Sequence, residues 1–197
     1  MEKKIYELIL KNRSYRGYDE ARSITEDEIL YFIDCARLSA SSVNKQPLKY
    51  LPLFEKEDTD KMLPLTRWAR GLPQMKLPHD GMAPTGYIVI CLDMNIADSE
   101  NAFPKDIGIA AQSILLAATE AGLGGCMIGN FTPSEVKQAF SLPENISPKL
   151  VVALGKPAEK IVITEIENGD DTNYYRDEND VHYVPKRKLK DVIIYEK

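Results

Sequence analysis

Lys105-Asp106-Ile107-Gly108-Ile109-Ala110-Ala111-Gln112-Ser113-Ile114-Leu115-Leu116-Ala117-Ala118-Thr119-Glu120-Ala121 reads as one long helix with apolar residues on two sides. Ile107, Ala110, Ala111, Ile114, Leu115, Ala118 and Ala121 form one stripe, and Ile109, Leu116 and Ala117 make the opposite side apolar as well. A helix of this kind belongs in a core or at a subunit interface. Gly122-Leu123-Gly124-Gly125 follows, with Gly122 placed to end the helix in the left-handed conformation. A strand candidate over 126–131 comes next. Thr132-Pro133-Ser134-Glu135 then carries a capping-box pattern, with Pro133 at the first helical position and Phe131 and Val136 as a staple, predicting a short helix through Phe140.

Upstream, Thr25-Glu26-Asp27-Glu28 is a second capping box, with Ile24 and Ile29 as its staple. It predicts a helix over about 26–39 with Ile29, Ile33, Ala36 and Ala40 on one face. Ile5, Leu8 and Ile9 mark a first helix. The remaining strand candidates, 48–54, 87–92 and 150–154, are short and bounded by Gly, Pro or Asn, and Pro52 demotes the first to an edge or a strand end. Helices and strands do not alternate strictly, so the fold class is α+β and not a doubly wound parallel sheet.

With 197 residues and 44% apolar content, the chain 1–197 reads as a single domain with a substantial core. A net charge of −5 excludes a nucleic-acid binder, which needs a basic face. Cys35, Cys91 and Cys126 are odd in number and lie in apolar runs, as buried thiols in a reducing compartment do. His79 and His182 stand far apart without ligands at metal spacing, so no metal is expected, and both read as loop residues. Charge at Glu2, Lys3 and Lys4 comes too early for a secretory segment, and no stretch suffices to span a membrane, so a cytoplasmic location is expected.

Four clusters carry the chemistry. Asn12-Arg13-Ser14-Tyr15-Arg16-Gly17-Tyr18 sets two guanidiniums around a hydroxyl, donors that match a phosphate; it reads equally as a charged turn capping the first helix. The small hydroxyls and amides of Ser39 to Pro47 suit the edge of a heterocycle, or a polar helix-to-strand loop. Gly124 and Gly125 leave bare backbone for a flat ligand, without the spacing or the preceding strand of a Rossmann fingerprint. Val184-Pro185-Lys186-Arg187-Lys188-Leu189-Lys190 adds a second basic group, or a surface charge run. The stretch 66–86, with Trp68 and Met75, reads as a lid over a site or as a disordered excursion.

In this order the clusters resemble the FMN-dependent nitroreductase family over nearly the whole chain. The resemblance is carried by Arg13-Ser14-Tyr15-Arg16, the Ser41 to Pro47 segment, the Asp106 to Gln112 helix, Gly122-Leu123-Gly124-Gly125, and Leu154 to Pro157. It implies a central mixed sheet flanked by helices, in an intertwined homodimer with FMN at the subunit interface. It further implies that Arg13, Ser14 and Arg16 bind the phosphate or the pyrimidine edge. Ser41, Ser42, Asn44 and Gln46 would reach the flavin from the other subunit, Gly124 and Gly125 would touch the ring, and Lys186 and Arg187 would close on the phosphate. Trp68 and Met75 would border the acceptor. NADH or NADPH would reduce the flavin and a nitroaromatic, quinone or similar small acceptor would reoxidise it by ping-pong exchange. Arg16 would stabilise negative charge on the reduced flavin. The chain has Ala40 where many members carry proline. A non-catalytic FMN-storage protein, or a same-fold reductive dehalogenase or flavin-consuming enzyme, is the alternative.

Overall fold

The computed structural model describes residues 4–194; the charged start Met1-Glu2-Lys3 lies outside the described residues. Four strands form the central sheet: β1 (Leu48–Leu53), β2 (Gly86–Asp93), β3 (Gly124–Ile128) and β4 (Ile146–Gly155), in the order β1-β2-β4-β3. The sheet is antiparallel throughout, which corrects the expected mixed sheet. Pairing of strands distant in sequence, such as β2 with β4, leaves no local trace in isolated apolar runs. β1 is an edge strand, the position that Pro52 tolerates.

Strand β2 explains the layering. All eight of its residues are buried, and their alternation feeds two separate cores. Ile88 and Ile90 pack with Val152 and Leu154 against α2 (Glu26–Arg37) and α4 (Pro104–Glu120). Tyr87, Val89 and Cys91 pack on the other face with Met62 of α3 (Lys56–Met62) and Val136 of α5 (Pro133–Ala139). α4 buries Ala110, Ala111, Ile114, Leu115, Ala117 and Ala118 and leaves Ile109 exposed. α1 (Lys4–Lys11) buries none of its residues.

The Thr25 capping box forms in both directions, with Glu28 N–H donating to the Thr25 hydroxyl and Thr25 N–H donating to the Glu28 carboxylate. The box expected at Thr132 does not. The Thr132 carbonyl accepts the N–H of Glu135, the donor that the box would use, together with that of Val136, and Pro133 starts the helix without a side-chain cap. α2 ends at Arg37, which leaves Ala40 outside it. Gly122 adopts φ +76° as expected. β3 begins two residues before the expected strand and stops at Ile128.

A second sheet lies outside the expected elements: β5 (Ile161–Ile166), β6 (Tyr175–Arg176) and β7 (His182–Arg187), in the order β5-β7-β6 with β5 parallel to β7. His182 opens β7 and is buried, so it is not a loop residue. Cys91 and Cys126 are buried thiols, pushed up to about 12 and about 11 by desolvation, whereas Cys35 is only half-buried. The stretch 66–86 is not a disordered excursion: Ala69, Leu72 and Leu77 form a small core of their own with Trp68, Met75 and Tyr174 packed against it. Among the described residues no helix is long and apolar enough to cross a membrane, and no cluster of His, Cys, Asp or Glu could hold a metal ion.

Candidate active site

The segment after α1 is fastened to the edge of β3. Ser14 bridges to Gly125, and Tyr15 N–H donates to the Gly125 carbonyl at 3.1 Å. The Tyr15 hydroxyl donates back to the Lys11 carbonyl at 2.9 Å, and the Tyr18 hydroxyl to the Tyr15 carbonyl at 2.7 Å. A Cβ on Gly124 would sit 2.6 Å from the Tyr15 ring, and one on Gly125 would meet the Ala153 carbonyl and Leu115. The protein's own packing therefore requires both glycines bare, and neither lines the cavity described next.

Arg13, Ser14, Arg16 and Lys186 surround one cavity of about 310 Å³, completed by Gln112, Leu115, Met127, Tyr174, His182 and Val184. Basic groups from the two ends of the chain thus meet. Arg13 folds its Nη2 onto the Ile9 carbonyl at 2.7 Å, at the negative end of α1. Arg16 is held by its backbone: its N–H donates to the Glu159 carboxylate, which also pairs with Arg176 in a buried ion pair. Its guanidinium is left to donate to the Ser14 carbonyl at 3.2 Å and to lie over the Tyr174 ring.

Strand alternation decides which C-terminal residues take part. His182, Val184 and Lys186, at successive second positions of β7, face the cavity. Arg187 falls on the other side and donates to the Asn168 amide oxygen at 3.2 Å, so the structure does not bring it to the site. His182 is the residue that sequence reasoning missed. It is 1% exposed, yet among the described residues neither ring nitrogen has a hydrogen-bond partner, and the Arg13 Nε is likewise buried and unsatisfied. Burial, together with the positive charge of Arg16 and Arg176, lowers His182 to about 4 against the opposing effect of Asp180, so the imidazole is neutral. The period-two pattern His-x-Val-x-Lys was the signal available for it.

Ser41, Gln46 and Asp106 line a different cavity of about 260 Å³. No lining residue is shared between the two. The Ser41 and Ser42 hydroxyls donate to the Asp106 carboxylate at 2.6 and 2.7 Å, the Ser42 N–H does so at 3.0 Å, and Ser41 accepts the Gln46 N–H at 3.0 Å. Both hydroxyls are thus engaged by Asp106. Asn44 is exposed, and Val43, Asn44 and Gln46 have left-handed backbones at φ 46°, 54° and 53°. Trp68 borders a further cavity that adjoins the first at Arg16, whereas Met75 packs into the small core of its own loop and lines neither.

Comparison with known proteins agrees with this architecture. A family model described as the nitroreductase family matches residues 9–156. A Methanothermobacter thermautotrophicus protein named for NADH dehydrogenase/NAD(P)H nitroreductase activity is 30% identical over 162 residues, covering 79% of this chain and 78% of that protein. The NADPH-flavin oxidoreductase of Vibrio harveyi is 30% identical over 165 residues, covering 77% of this chain and 65% of its own length. A nitroreductase structure from Desulfovibrio desulfuricans, solved in complex with FMN, superposes with a TM-score of 0.72 over 100% of this chain and 99% of that one, at 21% identity, a likeness of fold. His182 and Lys186 lie beyond the span that the family model matches.

Proposed function

This chain belongs to the nitroreductase family, and we propose that it passes reducing equivalents from NADH or NADPH through FMN to a nitroaromatic, a quinone or a similar small acceptor, donor and acceptor using one site in turn. The observation that carries this reading is the convergence of Arg13, Arg16 and Lys186 on one cavity in a chain of net charge −5. Unsatisfied buried donors in the same wall, Arg13 Nε and the His182 ring, match a ligand rich in acceptor atoms. The residues present therefore fit FMN.

Bound FMN supplies reversible two-electron exchange between a nicotinamide and the acceptor. Arg13, Ser14 and Lys186 would hold its phosphate by charge-assisted hydrogen bonds. Arg16, fixed by Glu159 and Tyr174, is a cation set in place before negative charge develops in the cavity. Leu115, Met127 and Val184 exclude water from the same wall.

A homodimer belongs to this reading. Ile5, Ile9 and Leu10 of α1, with Leu30, Leu38, Val43 and Ile109, are large apolar side chains left exposed, as an isologous interface requires. Across it the Ser41–Gln46 segment of one subunit meets the cavity of the other. Sedimentation at low concentration should find a dimer; a flavin-loaded monomer overturns it. For the reaction, anaerobic mixing is the test: NADH or NADPH should bleach the yellow protein, and a nitroarene or quinone should restore its colour. If neither nicotinamide bleaches it, the oxidoreductase reading fails.

A further inference from the structure

Of the described side chains that line the first cavity, His182 is the one able to gain a proton near neutral pH. Arg13, Arg16 and Lys186 already carry their charge, and no Asp or Glu is among the lining residues. The backbone holds His182 in place, its N–H donating to the Lys160 carbonyl at 2.9 Å, and the Tyr174 ring meets the imidazole edge-on at 5.3 Å. The side chain is 1% exposed, and neither ring nitrogen has a hydrogen-bond partner among the described residues. Two cations act on it, Arg16 in the cavity wall and Arg176 of β6, and one carboxylate, Asp180, opposes them. Arg176 is paired with the buried Glu159 and with Asp180 at 3.0 Å, and Asp180 also meets His79 at 3.2 Å.

A neutral base set among fixed cations responds when negative charge arrives. A nicotinamide delivers two electrons with one proton, so its reaction leaves the cavity with one more negative charge than before. A unit negative charge about 4 Å away, at an effective dielectric constant of about 20, strengthens proton binding about a thousandfold, which carries a group that titrates at about 4 to about 7. Arg13, Arg16 and Lys186 do not respond in this way, because they keep their protons throughout. We propose that His182 is the proton-linked residue of the site, neutral beside the oxidised cofactor and protonated beside the reduced one. One proton passes from water to the imidazole as two electrons and one proton arrive from the nicotinamide, and the imidazole gives its proton up again as the electrons leave. A quinone reduced in this exchange receives two electrons and two protons, one of them from His182. The inference rests on the oxidoreductase reading above and adds the group that sets its response to pH.

The FMN-loaded protein, isotope-labelled in its two histidines, is followed by NMR while oxidised and after anaerobic reduction with dithionite, which supplies electrons without a nicotinamide. At a pH of about 6.5 the His182 ring nitrogens should show the neutral form in the oxidised protein and the protonated form in the reduced one. His79, which does not line the cavity, should change little, and His182→Gln assigns the signals. In lightly buffered solution at the same pH, electrochemical reduction should take up about one proton more per FMN in the wild type than in His182→Gln. The same protonation state of His182 before and after reduction, whether neutral or charged, overturns the proposal, as does equal proton uptake by wild type and variant. Should the variant fail to fold, the two redox states of the wild type decide alone. A protein whose His182 gains a proton on reduction by dithionite, but which neither NADH nor NADPH reduces, keeps the inference and refutes the oxidoreductase reading; one that binds no FMN refutes both.

Discussion

The Arg16 guanidinium lies 4.8 Å from the centre of the Tyr174 ring, and the hydroxyl of that tyrosine accepts the N–H of Gly71 at 3.1 Å. One side chain thus joins the cationic wall of the first cavity to the loop that carries Arg67, Trp68 and Arg70. A Cβ at position 71 would sit 2.9 Å from the phenol oxygen, so a side chain there would displace the Tyr174 tip. His182 meets the same ring edge-on at 5.3 Å. The first cavity and the loop over 67–71 are therefore joined through Tyr174.

Tyr174→Phe keeps the ring over Arg16 and removes the hydrogen bond to Gly71, a loss of about 1 kcal/mol local to the loop. Trypsin should then cut faster after Arg67, Arg70 or Lys76, with FMN affinity unchanged. Tyr174→Ala should in addition weaken FMN severalfold, because Arg16 loses its cation–π contact. Cleavage at the wild-type rate in both variants would contradict the coupling.

Asp106 is 3% exposed and accepts from both serines of the 41–42 pair. Burial would raise its carboxyl, but the hydrogen bonds from Ser41 and Ser42 outweigh it and hold the group below its ordinary 3.8. A carboxyl depressed by folding stabilises the native state above the unfolded value, and that contribution disappears as pH falls below about 3.8 toward the folded one. Asp106→Ala strands the two hydroxyls and should cost about 3 kcal/mol in urea unfolding at pH 7, with the wild-type advantage shrinking in acid.

Much of the fold was legible where a local rule acts alone. Thr25 and Glu28 cap α2 as their spacing demands, Pro52 lies on an edge strand, and the apolar stripe of 105–121 marks the helix that packs with α2 on one face of the sheet. The second sheet was not legible, because β5 is half-buried or exposed along its length and pairs with a strand far along the chain. At the site, Arg13, Ser14, Arg16 and Lys186 could be named from donor chemistry. Arg187 could not be sorted from Lys186 without the register of β7. His182 escaped notice because a histidine declares itself in sequence only beside ligands or acids, and here its significance lies in two ring nitrogens without a hydrogen-bond partner among the described residues.

The two histidines, His79 and His182, make His182 open to direct titration by NMR. In the unfolded chain it binds a proton below about 6.5, and in the folded protein only near 4. The unfolded state therefore holds the extra proton between these values, and stability falls as pH drops through that window, by a few kcal/mol at most. His182→Phe should flatten the dependence between pH 7 and pH 5. A slope equal to that of the wild type would show that His182 is not the titrating group.

The account stands on FMN being anchored by its phosphate among Arg13, Ser14 and Lys186, and calorimetric titration with FMN and riboflavin, on wild type and Arg13→Ala, tests it most directly. The wild type should bind about one FMN per chain with micromolar or tighter affinity, on the order of −8 kcal/mol. Arg13→Ala should weaken FMN at least tenfold, matching the loss of about 1.5 kcal/mol or more from a charge-assisted hydrogen bond, and leave riboflavin unchanged. Failure of the wild type to bind FMN, or equal weakening of both ligands by Arg13→Ala, would contradict the account.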